Sequence, residues 1–375
     1  MKNHTDVMKA LAGARPAQLD PPGTAPLPFA LTGVPAPARR DRRFRAAGLI
    51  PAGALAVAAV AAVAVSVTGT GGAPPAPGGT GPATGAARPP SASQLLLAAA
   101  ERSSQDVPGT GRYLVVRTEN GSVLTVGSGA STYRMTARTS FETWLSRSGK
   151  EPGRVISQPL GLTPLTPSDA AAWRAAGSPA TVLVGKPLPN GELGPGSPVS
   201  VAAGPRRSDT NRDAQTYAVG ADGISVRDLK KLPAEPAALR AALLRHFDGG
   251  GGDVPTDREQ WLLTVTSGLL TEIPVSGPVR AAAFRLIATL PGVRSLGVVA
   301  DQHGRAGQGF AFTSASAFTG AIERRFVIDP ASGRVLGEES RVLRPAGTTA
   351  RLEPGSLLAY QVVLEQRITG GTPPE

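Results

Sequence analysis

The sequence predicts an α+β protein: one transmembrane helix, then an exported domain of antiparallel, curved sheet covered by helices. Three observations point there. Residues 46–67 carry no charge, β-branched and alternating runs both open and close the rest of the chain, and three amphipathic helical stretches stand between those runs. That order, strands then helices then strands, is the pattern that segregates helices to one side of an antiparallel sheet.

Taken in order, residues 1–45 read as a short, basic, largely disordered cytoplasmic tail. Pro16, Pro21, Pro22, Pro26, Pro28, Pro35 and Pro37 block a long helix there. The 22 residues of 46–67 include ten Ala and eight Leu, Ile or Val. As a helix they span about 33 Å, close to a hydrocarbon core of about 30 Å. Arg39-Arg40-Asp41-Arg42-Arg43-Phe44-Arg45 precedes them and no charge follows before Arg88, so the positive-inside rule keeps the N-terminus inside and exports the remainder. Arginine pairs ahead of an apolar run also suggest twin-arginine export, but the residues around Phe44 do not follow that order. Ala62-Val63-Ala64 offers small residues to a signal peptidase, yet the long leading segment fits an uncleaved signal anchor better. Residues 68–90, rich in Pro and Gly with no aliphatic side chain larger than Ala, form a tether. Residues 91–370 form the exported domain.

Composition narrows the class. The chain has 375 residues and no cysteine, which excludes disulfides, Cys-ligated zinc and thiol chemistry. Its formal charge is +11, of which +5 lies in residues 1–45, +1 is Arg88 and +5 is spread over 91–375. Basicity divided in this way serves membrane topology and solubility, and no nucleic-acid partner is expected.

Within the domain, 91–102 predicts a helix capped by Ser91 or Ser93. Runs at 112–117, 122–126 and 132–145 predict strands, with Asn120-Gly121 as a hairpin turn and Gly127-Ser128-Gly129 as the next one. Tyr133, Met135, Ala137, Thr139 and Phe141 share one face at period two. A strand around 154–157 and a helix from Thr166-Pro167 to Gly177 follow. Residues 188–205 read as loop, with Gly194-Pro195-Gly196 a turn and not a phosphate loop. Helices are predicted over 236–247, over 256–270 with Thr256 as cap and Glu259 completing a capping box, and over 278–290. Gly249 to Gly252 break the first from the second. Strands close the chain at 293–301, 309–313, 321–329, 335–343 and 357–368, the helices covering their sheet.

Leu232-Pro233-Ala234-Glu235-Pro236, Leu290-Pro291-Gly292-Val293 and Phe326-Val327-Ile328-Asp329-Pro330-Ala331-Ser332-Gly333-Arg334-Val335-Leu336-Gly337-Glu338 resemble, in that order, an actinobacterial family of single-pass membrane proteins of unknown function. Glu142-Thr143-Trp144, the Thr166-Pro167 to Gly177 helix and Leu19-Asp20-Pro21 extend the resemblance over most of the chain. Its members are often encoded beside extracytoplasmic-function sigma factors, which implies an anti-sigma context. The chain departs from zinc-binding anti-sigma proteins, which carry a His-x3-Cys-x2-Cys motif, because it has no Cys.

Few residues of the chain carry reactive chemistry. His4, His246 and His303 lack metal-ligand spacing, and no nucleophile elbow, metalloprotease or dinucleotide motif occurs. Glu338 and Glu339 are adjacent on a strand, so they face opposite sides and read as surface charge. Trp173 and Trp261 read as packing groups, and Trp144 either packs or lines a groove for an apolar or glycan ligand. No catalytic, cofactor-binding or metal site is named, and no cofactor is expected. The chain therefore reads as a membrane-anchored extracytoplasmic binding or sensory protein without catalytic activity, linked by resemblance to sigma-factor signalling. Two alternatives stay open: carrier-like binding of a lipid or apolar ligand by the exported domain, and an exported enzyme. The partners to expect are the membrane through the single helix, a protein for the cytoplasmic tail, and a lipid or envelope ligand for the domain.

Overall fold

The computed structural model describes residues 90–374 apart from 106–109, 129–130, 149–150, 212–215, 221, 253, 272 and 274. The tail over 1–45, the span over 46–67 and the tether up to residue 89 lie outside the described residues. Among those described, no helix is long and apolar enough to cross a membrane. The longest has 14 residues, or about 21 Å of rise against the roughly 30 Å of a bilayer core. The expected fold class is corrected accordingly: a transmembrane helix, and the single-pass cell-membrane localisation that rests on it, find no support in the structure. The balance of elements is corrected too, since strand makes up 45% of the described residues and helix only 24%.

Strands β1 (Tyr113–Ser128), β2 (Ser131–Ser146), β3 (Gly153–Pro164), β4 (Thr181–Pro187), β5 (Leu193–Ser200) and β6 (Arg207–Asn211) come first. A separate hairpin, β7 (Thr216–Val219) with β8 (Asp222–Ser225), follows, and then β9 (Arg294–Ala300), β10 (Ala306–Ser316), β11 (Gly320–Ile328), β12 (Val335–Pro345) and β13 (Leu357–Thr369). The two strand groups do not make two sheets. They join in one 11-stranded sheet of order β6-β3-β2-β1-β13-β12-β11-β10-β9, with β4 and β5 branching from β1. The seam is β1 against β13, antiparallel, with Glu119 opposite Val362, Asn120 opposite Gln361, Gly121 opposite Tyr360 and Ser122 opposite Ala359.

Asn120-Gly121 is not a turn. β1 runs straight through it, pairing with β2 from Tyr113–Ser146 to Ser128–Ser131. Glycine is required at 121 for another reason: a Cβ there would collide with the ring of Tyr360, which lies flat across β1 from the neighbouring strand. Residues 188–205 are likewise not all loop, because β5 takes Gly194-Pro195-Gly196 into a strand paired with β4. Pro195 and Pro198 fit there because β5 pairs with β4 alone, leaving its other edge free of a ladder.

Among the described residues, six α-helices accompany the sheet. In α1 (Ala92–Ser104), Ser91 and Gln94 form a capping box. In α2 (Pro167–Ala175), Thr166 caps and Gly177 follows the end at φ +85, a conformation that side chains resist. The short α3 (Val226–Leu229) precedes α4 (Pro236–Leu244), whose first N–H groups are accepted by Glu235. In α5 (Arg258–Thr271) the cap is Asp257, which accepts from the backbone of Glu259 and Gln260, and not Thr256. Glu259 instead pairs with Arg240 on α4. Ser276 caps α6 (Gly277–Thr289).

Helices α1, α4, α5 and α6 form one cap on the sheet. Leu96, Leu239, Leu243, Trp261 and Phe284 pack with Phe310, Phe312, Phe326, Ile328 and Val335, and Phe310 stacks on Phe326 at 5.3 Å. Each such burial contributes about 2 kcal/mol. A second cap covers the same face further along β1 to β3, where α2 and the β4–β5 pair lay Ala172, Trp173, Val182 and Val199 against Leu124, Val126, Tyr133, Met135 and Leu162. The sheet-and-helix contact expected from the amphipathic stretches is therefore present, with a second, strand-built cap that the sequence did not announce.

Gly121→Ala should lose about 1–3 kcal/mol of stability in urea denaturation, the range of an overpacked core. In a Tyr360→Ala background the same change should cost far less. A turn at Asn120-Gly121 would give equal costs in both backgrounds.

Candidate binding face

Residues paired in register point to the same side of a sheet, and alternate residues along a strand do likewise. One transverse row therefore runs Phe310, Phe326, Glu338, Gln361, Asn120, Thr139 across β10, β11, β12, β13, β1 and β2. The next row on that face is Phe312, Arg324, Ser340, Ala359, Ser122, Ala137. Each row starts beneath the helical cap, and Ala137 at the far end of the second packs against the other cap. Between the caps the side chains turn polar: Glu338, Gln361 and Asn120 in one row, Arg324, Ser340 and Ser122 in the other.

This strip is incompletely satisfied. Gln361 is 3% exposed, yet its Oε1 has no hydrogen-bond partner, and neither has the buried Oδ1 of Asn120 beside it. Buried polar atoms nearly always find partners, so two neighbours without one call for an explanation. Glu338 is half-buried, and burial pushes its carboxyl above the usual range, opposed by the charge of Arg324.

The opposite face is built differently. Glu119, 5% exposed, receives both prongs of Arg138 at 2.8 and 2.9 Å and the Tyr360 hydroxyl at 3.1 Å, with His303 Nε2 at 3.3 Å. Burial raises the Glu119 carboxyl, but Arg138, Tyr360 and His303 together hold it below its ordinary value. Burial and the adjoining Glu119 push the Tyr360 phenol far up, so it stays a donor. Alongside, Glu339 accepts from Arg341 at 2.7 Å, Gln302 at 2.6 Å and Arg325 at 3.3 Å. The turn between β9 and β10 is strapped over this end of the sheet by Arg305, which donates to Leu336 O and Val363 O at 2.8 and 2.9 Å while holding Asp301. Every carboxylate in this network has several donors, so it acts as internal mortar.

The sequence candidates fall out as follows. Glu338 and Glu339 do face opposite sides, but neither is simple surface charge: Glu339 is locked in the arginine network and Glu338 belongs to the strip. His303 meets Glu119, while His246 is half-buried just past the end of α4. Trp144 is buried, meets Tyr113 edge-on at 5.8 Å and donates to Glu142 at 2.7 Å, so it packs and lines no groove. Trp261 is 1% exposed in the helical core, and Trp173 packs under the second cap. Among the described residues no group of three or more His, Cys, Asp or Glu could hold a metal ion. No motif marks Asn120, Gln361 or Arg324. Asn120 reads locally as part of a turn, but Gln361 carries a signal, because it interrupts the apolar run Leu357-Leu358-Ala359-Tyr360 before Val362-Val363-Leu364.

No family model matches the chain, and no curated protein matches it. Among solved structures, a DUF1329 family protein from Desulfovibrio piger is similar at 9% identity, covering 75% of this chain and 94% of that one with a TM-score of 0.17. A likeness of that size carries no argument about fold or role.

Two outcomes test the electrostatics. Arg138→Met should lose about 3 kcal/mol near pH 7, the scale for stranding one partner of a buried ion pair. Because the folded Glu119 carboxyl lies below its ordinary 4.5, its contribution is present above that pH and lost as pH falls through the folded value, so the deficit should shrink in acid. Glu338 has the reverse sign: its contribution is present below 4.5 and lost as pH rises through the raised folded value. Glu338→Gln should match the wild type in denaturation midpoint at pH 4 and exceed it at pH 8.

Proposed function

We propose that this is a non-catalytic binding protein whose ligand lies on the polar strip between the two caps, and that the ligand is amphipathic, as in carrier-like binding of a lipid. The observation that carries this reading is the adjacent pair of buried, unpartnered amide oxygens, Asn120 Oδ1 and Gln361 Oε1. A hydroxyl or N–H of a ligand supplies what they lack. The apolar part of such a ligand is supported by Phe141 and Ala359, half-buried side chains on the same face. Small-molecule sites set a few polar groups among mostly apolar ones, and the strip has that make-up.

The test is native mass spectrometry of the full chain with monoolein and with 1-oleoyl-lysophosphatidic acid. A 1:1 complex is expected with at least one of them, and it should be lost in the Asn120→Leu/Gln361→Leu double variant while that variant stays folded. If neither amphiphile binds the wild type, or if the double variant binds as well as the wild type, the strip is not a ligand site. Loss specific to the double variant separates the strip from adsorption elsewhere on the chain.

A further inference from the structure

We propose that the ligand carries an acidic group and that Arg324 is the residue that reads it; this rests on the strip being the binding site. Three arginines lie close together on β11 and β12. Arg325 and Arg341 face the network side, where each is held by Glu339, with Glu323 also against Arg325. Arg324 faces the strip, where it is half-buried and makes no hydrogen bond or ion pair among the described residues. A guanidinium presents five donors in a fixed fork that matches a carboxylate or phosphate.

The acid nearest in the lattice of the sheet does not fill that role. Arg324 stands directly opposite Ser340, whereas Glu338 stands opposite Phe326. Glu338 is thus a diagonal neighbour, at about 7–8 Å between backbones, and no ion pair forms. The charge of Arg324 acts on the Glu338 carboxyl without contact. The hydroxyl of Ser340, facing Arg324 across the strand pair, offers one more donor to the same anion. Gln361 and Asn120 lie in the adjoining row, two and three strands from Arg324, at about 5 Å per strand. With an acidic end on Arg324 and Ser340, a hydroxyl further along the same ligand faces Gln361, the nearer of the two amides. The chemical class is therefore an acidic amphiphile that also bears a hydroxyl.

Matched probes test this on the full chain by titration calorimetry. 1-Oleoyl-lysophosphatidic acid has phosphate, hydroxyl and chain; monoolein lacks the phosphate; oleate has a carboxylate without the glycerol; glycerol 3-phosphate and inorganic phosphate lack the chain. Lysophosphatidic acid should bind about tenfold or more tighter than monoolein, the scale of a charged hydrogen-bond pair. Arg324→Gln should bring it down to the monoolein level, leave monoolein unchanged, and be partly rescued by Arg324→Lys. Oleate binding that is equally sensitive to Arg324→Gln supports a general acid reader. Phosphate or glycerol 3-phosphate competing at similar concentration supports the anion site and assigns its source to a free phosphate. Equal affinity for lysophosphatidic acid and monoolein, or no effect of Arg324→Gln on the former, overturns the inference while leaving the strip as a neutral ligand site. Absence of any binding overturns the proposed function itself.

Discussion

The pairing of β1 with β13 is the interaction on which the rest of the structure depends. It brings together segments separated by 241 positions, as the Tyr360–Glu119 bond records, and fuses two strand groups into one sheet. Both chemically distinctive regions straddle it. On one face Glu119 from β1 meets Tyr360 from β13 and Arg138 from β2; on the other, Asn120 lies opposite Gln361. The close approach of the Tyr360 ring to Gly121 fixes how the strands lie against each other, so the same contact that aligns the seam also aligns the strip.

The two faces of the seam solve the same problem in opposite ways. Taking carboxylates and arginines out of water is costly unless each has several partners. On the network side that condition is met, with Glu119, Glu323 and Glu339 each held by arginines and the β9–β10 turn strapped on by Arg305. On the strip side the condition is unmet at Asn120, Gln361 and Arg324. One face pairs its charges with one another, whereas the strip between the two apolar caps encloses amide oxygens that have no partner.

The caps explain where the open stretch falls. Helices α1, α4, α5 and α6 seal Phe310, Phe312 and Phe326, and α2 with β4 and β5 seals Leu124, Val126 and Met135. The middle of the face, over the seam, carries side chains that suit hydrogen bonding better than packing. Polar residues at those positions would weaken a core that had no use for them, and their alternation with apolar neighbours keeps the strands in register all the same.

Much of the local structure was legible in the sequence. Ser91, Thr166 and Pro167, Pro236 and Gly177 marked helix ends through capping chemistry that acts over three or four residues, and β10, β11, β12 and β13 showed through β-branched runs joined by short turns such as 329–333. Asn120-Gly121 misled because its turn preference is local, whereas the packing of Tyr360 against Gly121 is not. The candidate site was illegible for the same reason. Asn120, Arg324, Glu338 and Gln361 belong to four different strands and become neighbours only through register. Their missing partners are a property of three-dimensional enclosure. The sequence by itself determined most of the helices, where they begin, and the closing strands, since hydrogen bonds to nearby backbone and side-chain periodicity decide that. Only the tertiary structure decided that the two strand groups form one sheet and which polar side chains meet across it, because long-range pairing depends on complementary surfaces that no short stretch of chain encodes.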